Sequence, residues 1–235
     1  MEETMLKTLI SNPEVEGFLE STYDFAKLMT FYKCAIMEVE TKLNVLNEET
    51  SLKFDRQPIN SIQSRLKSLS GIMKKLRKKG LPMTPESIEA NIHDIAGIRV
   101  ICSFKDDVYA LAQALERQDD VEILQIKDYI KNPKENGYRS LHMIISVPVF
   151  FEKETRKMTV EVQLRTIAMD SWASLEHQLN YKKKFNFTQE MRDELKKCAD
   201  LSAELDQKMN VLKTQVDTDR ESNTFLDYLN QELFG

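Results

Sequence analysis

Two acidic side chains, Glu161 and Asp94, stand in sequence contexts that suit phosphate chemistry. Glu161 belongs to the segment 158–165, in which apolar and polar residues alternate as in a half-buried β-strand. Asp94 precedes a second segment, 98–104, whose composition is also typical of a strand. If the two strands are neighbours, the carboxylates can share a Mg²⁺ ion, which binds one or two carboxylates together with substrate phosphates. The alternative for 158–165 is an edge strand with a solvated polar face.

Positive charge is concentrated between residues 65 and 79. Seven cationic residues and no acidic residue occur there, although the whole chain has a net charge of −5. Mutual repulsion favours an anionic ligand for this segment, and the alternative is a solvated run of charges. A compact polyanion such as a nucleotide phosphate suits an acidic protein better than a long nucleic-acid backbone does. The seven residues are Arg65, Lys67, Lys74, Lys75, Arg77, Lys78 and Lys79.

The polar segment 128–139 contains Asn-Pro and Asn-Gly pairs and is predicted to be a loop. Gly137 permits a tight turn that presents Tyr138 for stacking on a base, with Asn136 and His142 able to hydrogen-bond a base edge. Taken singly, the alternatives are a core aromatic residue for Tyr138 and a structural histidine for His142. Cations within or beside the loop are Lys127, Lys131, Lys134 and Arg139.

The elements that must position these residues follow from the periodicity of apolar residues. Strands are predicted over 98–104, 121–127, 140–150 and 157–165. Helices are predicted over 23–46, 60–79, 106–117 and 166–181, from 188 onward, and as a short segment that begins near Pro85. The last two long helices each carry one apolar stripe, and Trp172 is expected in the core. The stripe residues are Ala168, Trp172, Leu175 and Leu179 in the first helix and Met191, Leu195, Cys198, Leu205, Met209, Leu212 and Val216 in the second.

Composition limits the class of protein. With 41% hydrophobic and 30% charged residues among 235, the chain is too apolar to be disordered and too charged for a membrane protein. We expect a single α+β domain over 1–235, with a mixed sheet of about five strands in a core at about 50–182 and flanking helices at 1–50 and 186–235. The acidic N-terminus lacks a secretory signal, so a cytoplasmic location is expected. No P-loop, Rossmann or nucleophile-elbow motif occurs, and the cysteines Cys34, Cys102 and Cys198 are expected to be small core residues.

Four motifs, in order along the chain, resemble the synthetase domain of the RelA/SpoT family. They are Arg65-Leu-Lys67 and the segments 93–100, 128–142 and 160–166. The resemblance covers roughly residues 20–215, and the length is similar to that of the stand-alone members, the small alarmone synthetases. It implies a nucleotidyltransferase-like fold and transfer of the β,γ-pyrophosphate of ATP to the 3′-hydroxyl of GDP or GTP, which gives (p)ppGpp and AMP. One departure is Gly71, which stands where the first motif commonly has a serine.

The resemblance also implies residue roles. Asp94 and Glu161 would hold Mg²⁺, and Glu161 would in addition orient or deprotonate the attacking hydroxyl. Tyr138 would stack on guanine. The ATP-binding residues would be Arg65, Lys67, Lys75 and Arg99, and the acceptor-binding residues Lys127, Lys134, Asn136, Tyr138 and His142. The chain lacks the hydrolase domain of the long members, so synthesis alone is expected, by a homotetramer that needs neither a membrane nor an obligatory nucleic acid.

Two alternatives to this function stay open at the level of sequence. The first is a toxin-like relative that pyrophosphorylates adenine nucleotides or the 3′ end of tRNA, although the acidic ends of this chain do not favour tRNA binding. The second is a catalytically silent module that binds a nucleotide or single-stranded RNA. The intact pair Asp94 and Glu161 argues against a silent module, which has no need of two metal-binding carboxylates.

Overall fold

The computed structural model describes the backbone of residues 13–54, 56–181 and 188–234, and the side chains of residues 22–52, 56–179 and 188–218. These residues form six helices and five strands. In chain order they are α1 Pro13–Phe54, β1 Ile59–Leu66, α2 Leu69–Lys79, α3 Pro85–Asn91, β2 Ala96–Cys102, α4 Lys105–Glu116, β3 Glu122–Asp128, β4 Leu141–Phe150, β5 Thr155–Thr166, α5 Ile167–Tyr181 and α6 Gln189–Phe234.

The five strands form one mixed sheet in the order β1-β2-β5-β4-β3. β2 and β5 are parallel, and the other three pairs are antiparallel. The α+β fold with a five-stranded mixed sheet is therefore confirmed. β5 is the central strand, so the alternative of an edge strand for residues 158–165 is wrong. Its polar side chains face a surface that other strands extend on both sides.

One face of the sheet is the core. On β5, Met158, Val160, Val162 and Leu164 are fully buried, as the alternating pattern predicts. Helices α1 and α4 pack against this face, and α1 contributes the fully buried Phe31 and Val39 among other core residues. The opposite face carries the polar members of the same alternation. No helix within the described residues is long and apolar enough to cross a lipid bilayer.

The prediction of one helix over residues 60–79 is wrong. Residues Ile59–Leu66 form an edge strand, and the helix α2 begins only at Leu69. Ser68, in an extended conformation, caps α2 by accepting a hydrogen bond from the Gly71 amide at 3.3 Å, and Gly80 ends it with a positive φ of 66°. The sequence allows a helix from 60 because Asn60 or Ser61 can serve as an N-cap and Gly80 with Pro82 as the stop, but only the stop at Gly80 is used. As a result Arg65 lies on a strand rather than on the face of a basic helix.

The other elements predicted between residues 85 and 181 are present, with ends within two residues of the predicted ones. Helix α3 begins at Pro85, and its cap Thr84 accepts a hydrogen bond from the Ser87 amide at 3.3 Å. Strong local signals, such as a cap followed by proline or a run of alternating residues, were sufficient for these elements.

Helix α6 is attached to the body through polar contacts more than through its apolar stripe. Thr166 donates a hydrogen bond to the buried Asp206 at 2.6 Å, and the Trp172 indole donates to the Leu195 carbonyl at 2.9 Å. Trp172 is buried as predicted, in a small cluster with Ala173 and Ala199. This cluster is separate from the main core.

Most residues of the two apolar stripes are exposed. They are Leu175 and Leu179 on α5 and Met191, Leu205, Met209, Leu212 and Val216 on α6. Cys198 on α6 is also exposed, whereas Cys102 is buried and Cys34 is half-buried. Three-four spacing shows that a helix has an apolar face but does not show that its own chain covers that face.

The loop between β3 and β4 contacts α6 at Gly137. This glycine has a φ of 88°, and a Cβ atom added to it would lie 2.5 Å from the Cβ of Ala199. Arg139 fixes the same loop by donating hydrogen bonds to the Ala199 carbonyl at 3.1 Å and to Asp200 at 3.0 Å. The loop therefore needs both the left-handed conformation and the missing side chain at residue 137.

We expect Gly137→Ala to lower the free energy of unfolding by about 2 kcal/mol, because a strained φ and an overpacked contact add together. For a chain of this length that corresponds to a fall in Tm of roughly 5 °C. Gly80→Ala is the matched control, since Gly80 also has a positive φ but open space around it. Thermal unfolding followed by circular dichroism measures both. Equal shifts in the two variants would show that the contact with Ala199 contributes nothing.

Candidate active site

Strand register places the predicted site residues in two rows across the polar face of the sheet. In the first row Arg65 pairs with Gly97, Gly97 with Glu161, and Glu161 with Ile144. The second row contains Gln63, Arg99, Gln163, His142 and Lys127, each paired with the next. Residues directly opposite each other on neighbouring strands point to the same face. Residues from all five strands therefore meet on one surface.

Two open clefts lie on this surface, one on each side of Glu161. The first is lined by β1, β2 and β5, including Arg65, Arg99 and Gln163. The second is lined by Lys127, Tyr129, Lys134 and His142 among others. Glu161 lines both. A group transferred from a ligand in one cleft to a ligand in the other would pass this carboxylate.

Asp94 lies just before β2 and is held by two lysines. Its carboxylate is 2.9 Å from the Lys75 ammonium and 3.2 Å from the Lys67 ammonium. Burial raises the pKa of Asp94, but the hydrogen bond and charge of Lys75 and those of Lys67 outweigh it and hold the pKa below its usual value. Asp94 is therefore ionised at neutral pH.

Glu161 is also ionised, for different reasons. Burial raises its pKa, but His142 and a hydrogen bond from the Gln163 amide, at 3.0 Å, outweigh burial and lower the pKa below its usual value. The negative charge of Asp94 acts in the opposite direction, so the two carboxylates are close enough to interact. A pKa below the usual value keeps Glu161 ionised at neutral pH, as a metal ligand, a hydrogen-bond acceptor or a base must be.

The pair Asp94 and Glu161 fits a Mg²⁺ ion that takes its remaining ligands from phosphates and water. Mg²⁺ is usually bound through one or two carboxylates plus substrate phosphates rather than by an all-protein cage. Within the described residues, no three side chains of the types His, Cys, Asp and Glu come together to form such a cage.

Tyr138 and His142 connect the second cleft to Glu161. The Tyr138 hydroxyl is 2.9 Å from Nε2 of His142, whose Nδ1 lies 3.5 Å from the Glu161 carboxylate. The Lys134 ammonium lies over both neighbouring tyrosine rings, 4.7 Å from the ring centroid of Tyr129 and 4.6 Å from that of Tyr138. Tyr138 is half-buried and packs against the Trp172 cluster. Part of its ring is therefore a core contact, which was the alternative to base stacking in the sequence analysis.

Five of the sequence-predicted residues do not line either cleft and have other contacts, namely Asp94, Lys67, Lys75, Asn136 and Tyr138. The side chain of Asn136 accepts a hydrogen bond from the Tyr138 amide at 3.2 Å and faces a separate cleft between α5 and α6. Lys75 reaches the site through Asp94. The outer cations of α2, at 74, 77, 78 and 79, are exposed, which agrees with the alternative of a solvated charge run for that part.

The structure adds residues that the sequence argument did not select. Gln63 and Gln163 line the first cleft, and Tyr129 lines the second. Arg165 lies in the fourth motif, for which the sequence predicted no role beyond that of Glu161, and Asp170 lies outside all four motifs. Gln63 shares a face with Arg65 because the two residues are two positions apart on β1, which becomes visible only once β1 is known to be a strand.

Comparison with known proteins agrees with this geometry. A family model described as a region found in RelA/SpoT proteins matches residues 64–186. GTP pyrophosphokinase YwaC of Bacillus subtilis is 42% identical over 194 residues, which cover 83% of this chain and 92% of that protein.

Two solved structures from the same organism are similar. Small alarmone synthetase 2 superposes with a TM-score of 0.74 and 41% identity, over 82% of this chain and 99% of that chain. Small alarmone synthetase 1, bound to its product pppGpp, gives a TM-score of 0.73 and 31% identity, over 82% and 97%. The resemblance carried by the four sequence motifs is confirmed, and the chain belongs to the RelA/SpoT family.

Proposed function

We propose that the protein is a GTP pyrophosphokinase, which transfers the β,γ-pyrophosphate of ATP to the 3′-hydroxyl of GDP or GTP and releases AMP. The observation that carries the proposal is the position of Glu161 between two clefts lined by cations. A curated relative is named a GTP pyrophosphokinase, and a solved relative is bound to pppGpp, the product of this reaction from GTP. The proposed activity is synthesis alone. We also propose a cytoplasmic location, where ATP and guanosine nucleotides are available.

The first cleft is the proposed ATP site. Arg65 and Arg99 line it, and a guanidinium can both pair with phosphate and stack on a base. Lys67 and Lys75 stand beside it at Asp94 and supply further positive charge. Mg²⁺ held by Asp94 and Glu161 would neutralise charge on the phosphates during transfer. Binding in this cleft places the β-phosphorus next to Glu161.

The second cleft is the proposed acceptor site. Lys127 and Lys134 line it and would attract the 5′-phosphates. Tyr138 does not line this cleft but contacts His142, which does, and we assign the stacking of guanine to its ring. Asn136 supports the turn that carries Tyr138. His142 contacts both Tyr138 and Glu161, so it links recognition of the base to the reacting end of the site.

The transfer itself forms one bond and breaks one. The 3′-oxygen of the acceptor attacks the β-phosphorus of ATP, and the bond between that phosphorus and the oxygen bridging to the α-phosphate breaks, so the electron pair leaves with AMP. Glu161 accepts a hydrogen bond from the 3′-hydroxyl and orients it, and its carboxylate takes the proton as the new bond forms. No covalent enzyme intermediate is needed.

The proposal is tested by incubating the purified protein with Mg²⁺, γ-labelled ATP and one acceptor at a time, and by separating the products chromatographically. The acceptors are GDP, GTP, GMP, ADP and uncharged tRNA. We expect label on the guanosine nucleotides without any added nucleic acid. Label on ADP or tRNA would instead support the toxin-like alternative, and the absence of transfer would support a binding module.

We expect Tyr138→Ala to raise the KM for the acceptor by about tenfold or more, because base stacking on an aromatic ring contributes ~1–3 kcal/mol. The KM for ATP should change by no more than about threefold, since Tyr138 lies outside the first cleft. Tyr138→Phe keeps the ring and loses only the hydroxyl, so it should raise the acceptor KM less than Tyr138→Ala does. Initial rates at varied concentrations of each substrate measure both constants. A selective effect of Tyr129→Ala in place of Tyr138→Ala would assign the stacking to the other ring.

We also propose that the protein is a homotetramer assembled through its flanking helices, within a single domain that spans 1–235. The exposed apolar residues of α1, namely Met37, Val45 and Leu52, and those of α6 support this. Static light scattering at micromolar concentration should then give a mass near four times the 27.4 kDa of one chain. A mass of one chain would contradict the assembly.

A further inference from the structure

Two arginines on the polar face share one carboxylate. Nη1 of Arg165 donates a hydrogen bond to Asp170 at 3.1 Å, and Nη1 of Arg99 lies 3.5 Å from the same oxygen. Burial lowers the pKa of Arg99, and the positive charge of Arg165 lowers it further, whereas Asp170 acts in the opposite direction. The guanidinium groups of Arg99 and Arg165 thus compete for the one carboxylate of Asp170, which is half-buried. The contact of Arg99 is the longer and therefore the weaker of the two.

The two arginines belong to different sides of the site. Arg99 lines the first cleft, and about a third of its side chain is exposed. Arg165 is 5% exposed, and its Nη2 donates to the Tyr138 hydroxyl at 2.7 Å and to the Gln163 amide oxygen at 3.0 Å. Among the described residues, the Nε atoms of both arginines are buried without an acceptor. The Nη contacts therefore orient both guanidinium planes.

From this arrangement we propose that Asp170 couples the two clefts, with Arg165 and Asp170 acting as positioning residues. A polyphosphate in the first cleft draws Arg99 away from Asp170, because the phosphates carry more negative charge than one carboxylate. Asp170 is then paired with Arg165 alone. Arg165 holds the Tyr138 hydroxyl more firmly, and the acceptor nucleotide meets a preorganised ring. The inference rests on the proposed function, since it assigns ATP to the first cleft and the acceptor to the second.

A purely structural role for Asp170 makes a different prediction. Asp170 lies in the first turn of α5, where a carboxylate stabilises the helix N-terminus. Loss of that contribution would lower Tm or weaken the binding of both nucleotides by the same factor. It would leave unchanged the factor by which one nucleotide alters the affinity for the other. That coupling factor is the quantity to measure, because linkage makes it the same in both directions.

The experiment is calorimetric titration of GDP into the full-length protein with Mg²⁺, in the absence and presence of a saturating non-hydrolysable ATP analogue. We expect the analogue to tighten GDP binding by about fivefold or more in the unmodified protein. In Asp170→Asn the coupling factor, the ratio of GDP affinities with and without the analogue, should fall to near one, while GDP and the analogue each still bind. Asp200→Asn is the matched control, because Asp200 pairs with Arg139 of the loop between β3 and β4 and not with Arg165. The control should keep the full factor.

Tyr138→Phe provides a second variant, which retains the ring and removes only the hydroxyl that Arg165 holds. It should also bring the factor close to one, so the proposal stays testable if Asp170→Asn does not fold. A factor of one in the unmodified protein, or an unchanged factor in both variants, overturns the coupling. If the unmodified protein binds neither nucleotide, the proposed function itself fails. Binding of both without coupling defeats the further inference alone.

Discussion

Glu161→Gln is expected to lower kcat by about 10³-fold, because a positioned general base contributes ~10²–10⁴-fold and no other carboxylate lines both clefts within the described residues. Glutamine keeps the shape of the side chain and its ability to accept a hydrogen bond from Gln163. It cannot accept a proton, and it is a poor ligand for Mg²⁺. Steady-state rates of label transfer measure the loss. Calorimetry with GDP and with an ATP analogue should show that binding of each nucleotide changes little.

The matched control for this prediction is Glu122→Gln. Glu122 lies at the exposed edge of the sheet, where it pairs with Lys157. The same chemical change there should leave kcat within about twofold, because surface ion pairs contribute little. If Glu161→Gln retained normal turnover, the role assigned to Glu161 would be refuted. If it lost both turnover and nucleotide binding, its role would be in binding rather than in the transfer step.

Asp94→Asn is expected to lower kcat by about 10²-fold or more and to raise the Mg²⁺ concentration needed for half-maximal rate by about tenfold. The carboxylate pairs with Lys67 and Lys75 in the structure, and its pKa is held below the usual value, so it is available as an anionic ligand at neutral pH. An amide keeps the volume but has no charge. Rates measured over a Mg²⁺ titration, with ATP fixed, give both quantities.

The Mg²⁺ titration separates two explanations for an effect of Asp94. If Asp94 only neutralises the two lysines, the asparagine variant loses stability and some rate but keeps the Mg²⁺ dependence of the unmodified protein. Asp120→Asn serves as the control, because Asp120 also pairs with a lysine, Lys42, but lies in the turn before β3. An unchanged half-saturating Mg²⁺ concentration in Asp94→Asn would contradict its role as a metal ligand.

The sequence predicted β5 and its polar face because both signals are local. Alternation over 158–165 assigns Glu161 and Gln163 to one face whichever strands are neighbours. The edge strand β1 was missed for the opposite reason. Most of its residues are exposed, so residues 59–66 lack a clear apolar alternation, and residues suited to an N-cap at 60 and 61 extended the apparent helix. Tertiary pairing with β2 overrides this weak local preference.

The main catalytic candidates could also be predicted from the sequence. The side chains that contact and orient them could not. Asp94, Glu161 and the cations of both clefts belong to motifs that can be recognised in one dimension. The contact of Arg165 with Tyr138 joins residues 27 positions apart, and Asp170 gains its role only because β5 leads directly into α5. Such contacts depend on strand order and on the direction of the chain at the end of a strand. Neither can be read from spacing.

The place of β5 in the sheet has a consequence for how the protein folds. β5 is the last strand to be synthesised, yet it fills the centre, between β2 and β4. Before β5 pairs, β2 and β4 each have an open edge that invites association with other chains. The parallel β2–β5 pair also joins segments about 60 residues apart, a non-local contact that slows folding. Glu161 lies on β5, so neither cleft is complete until β5 pairs with β2 and β4. The same step covers the two open edges. The folding step that completes the site therefore also removes the edges that favour aggregation.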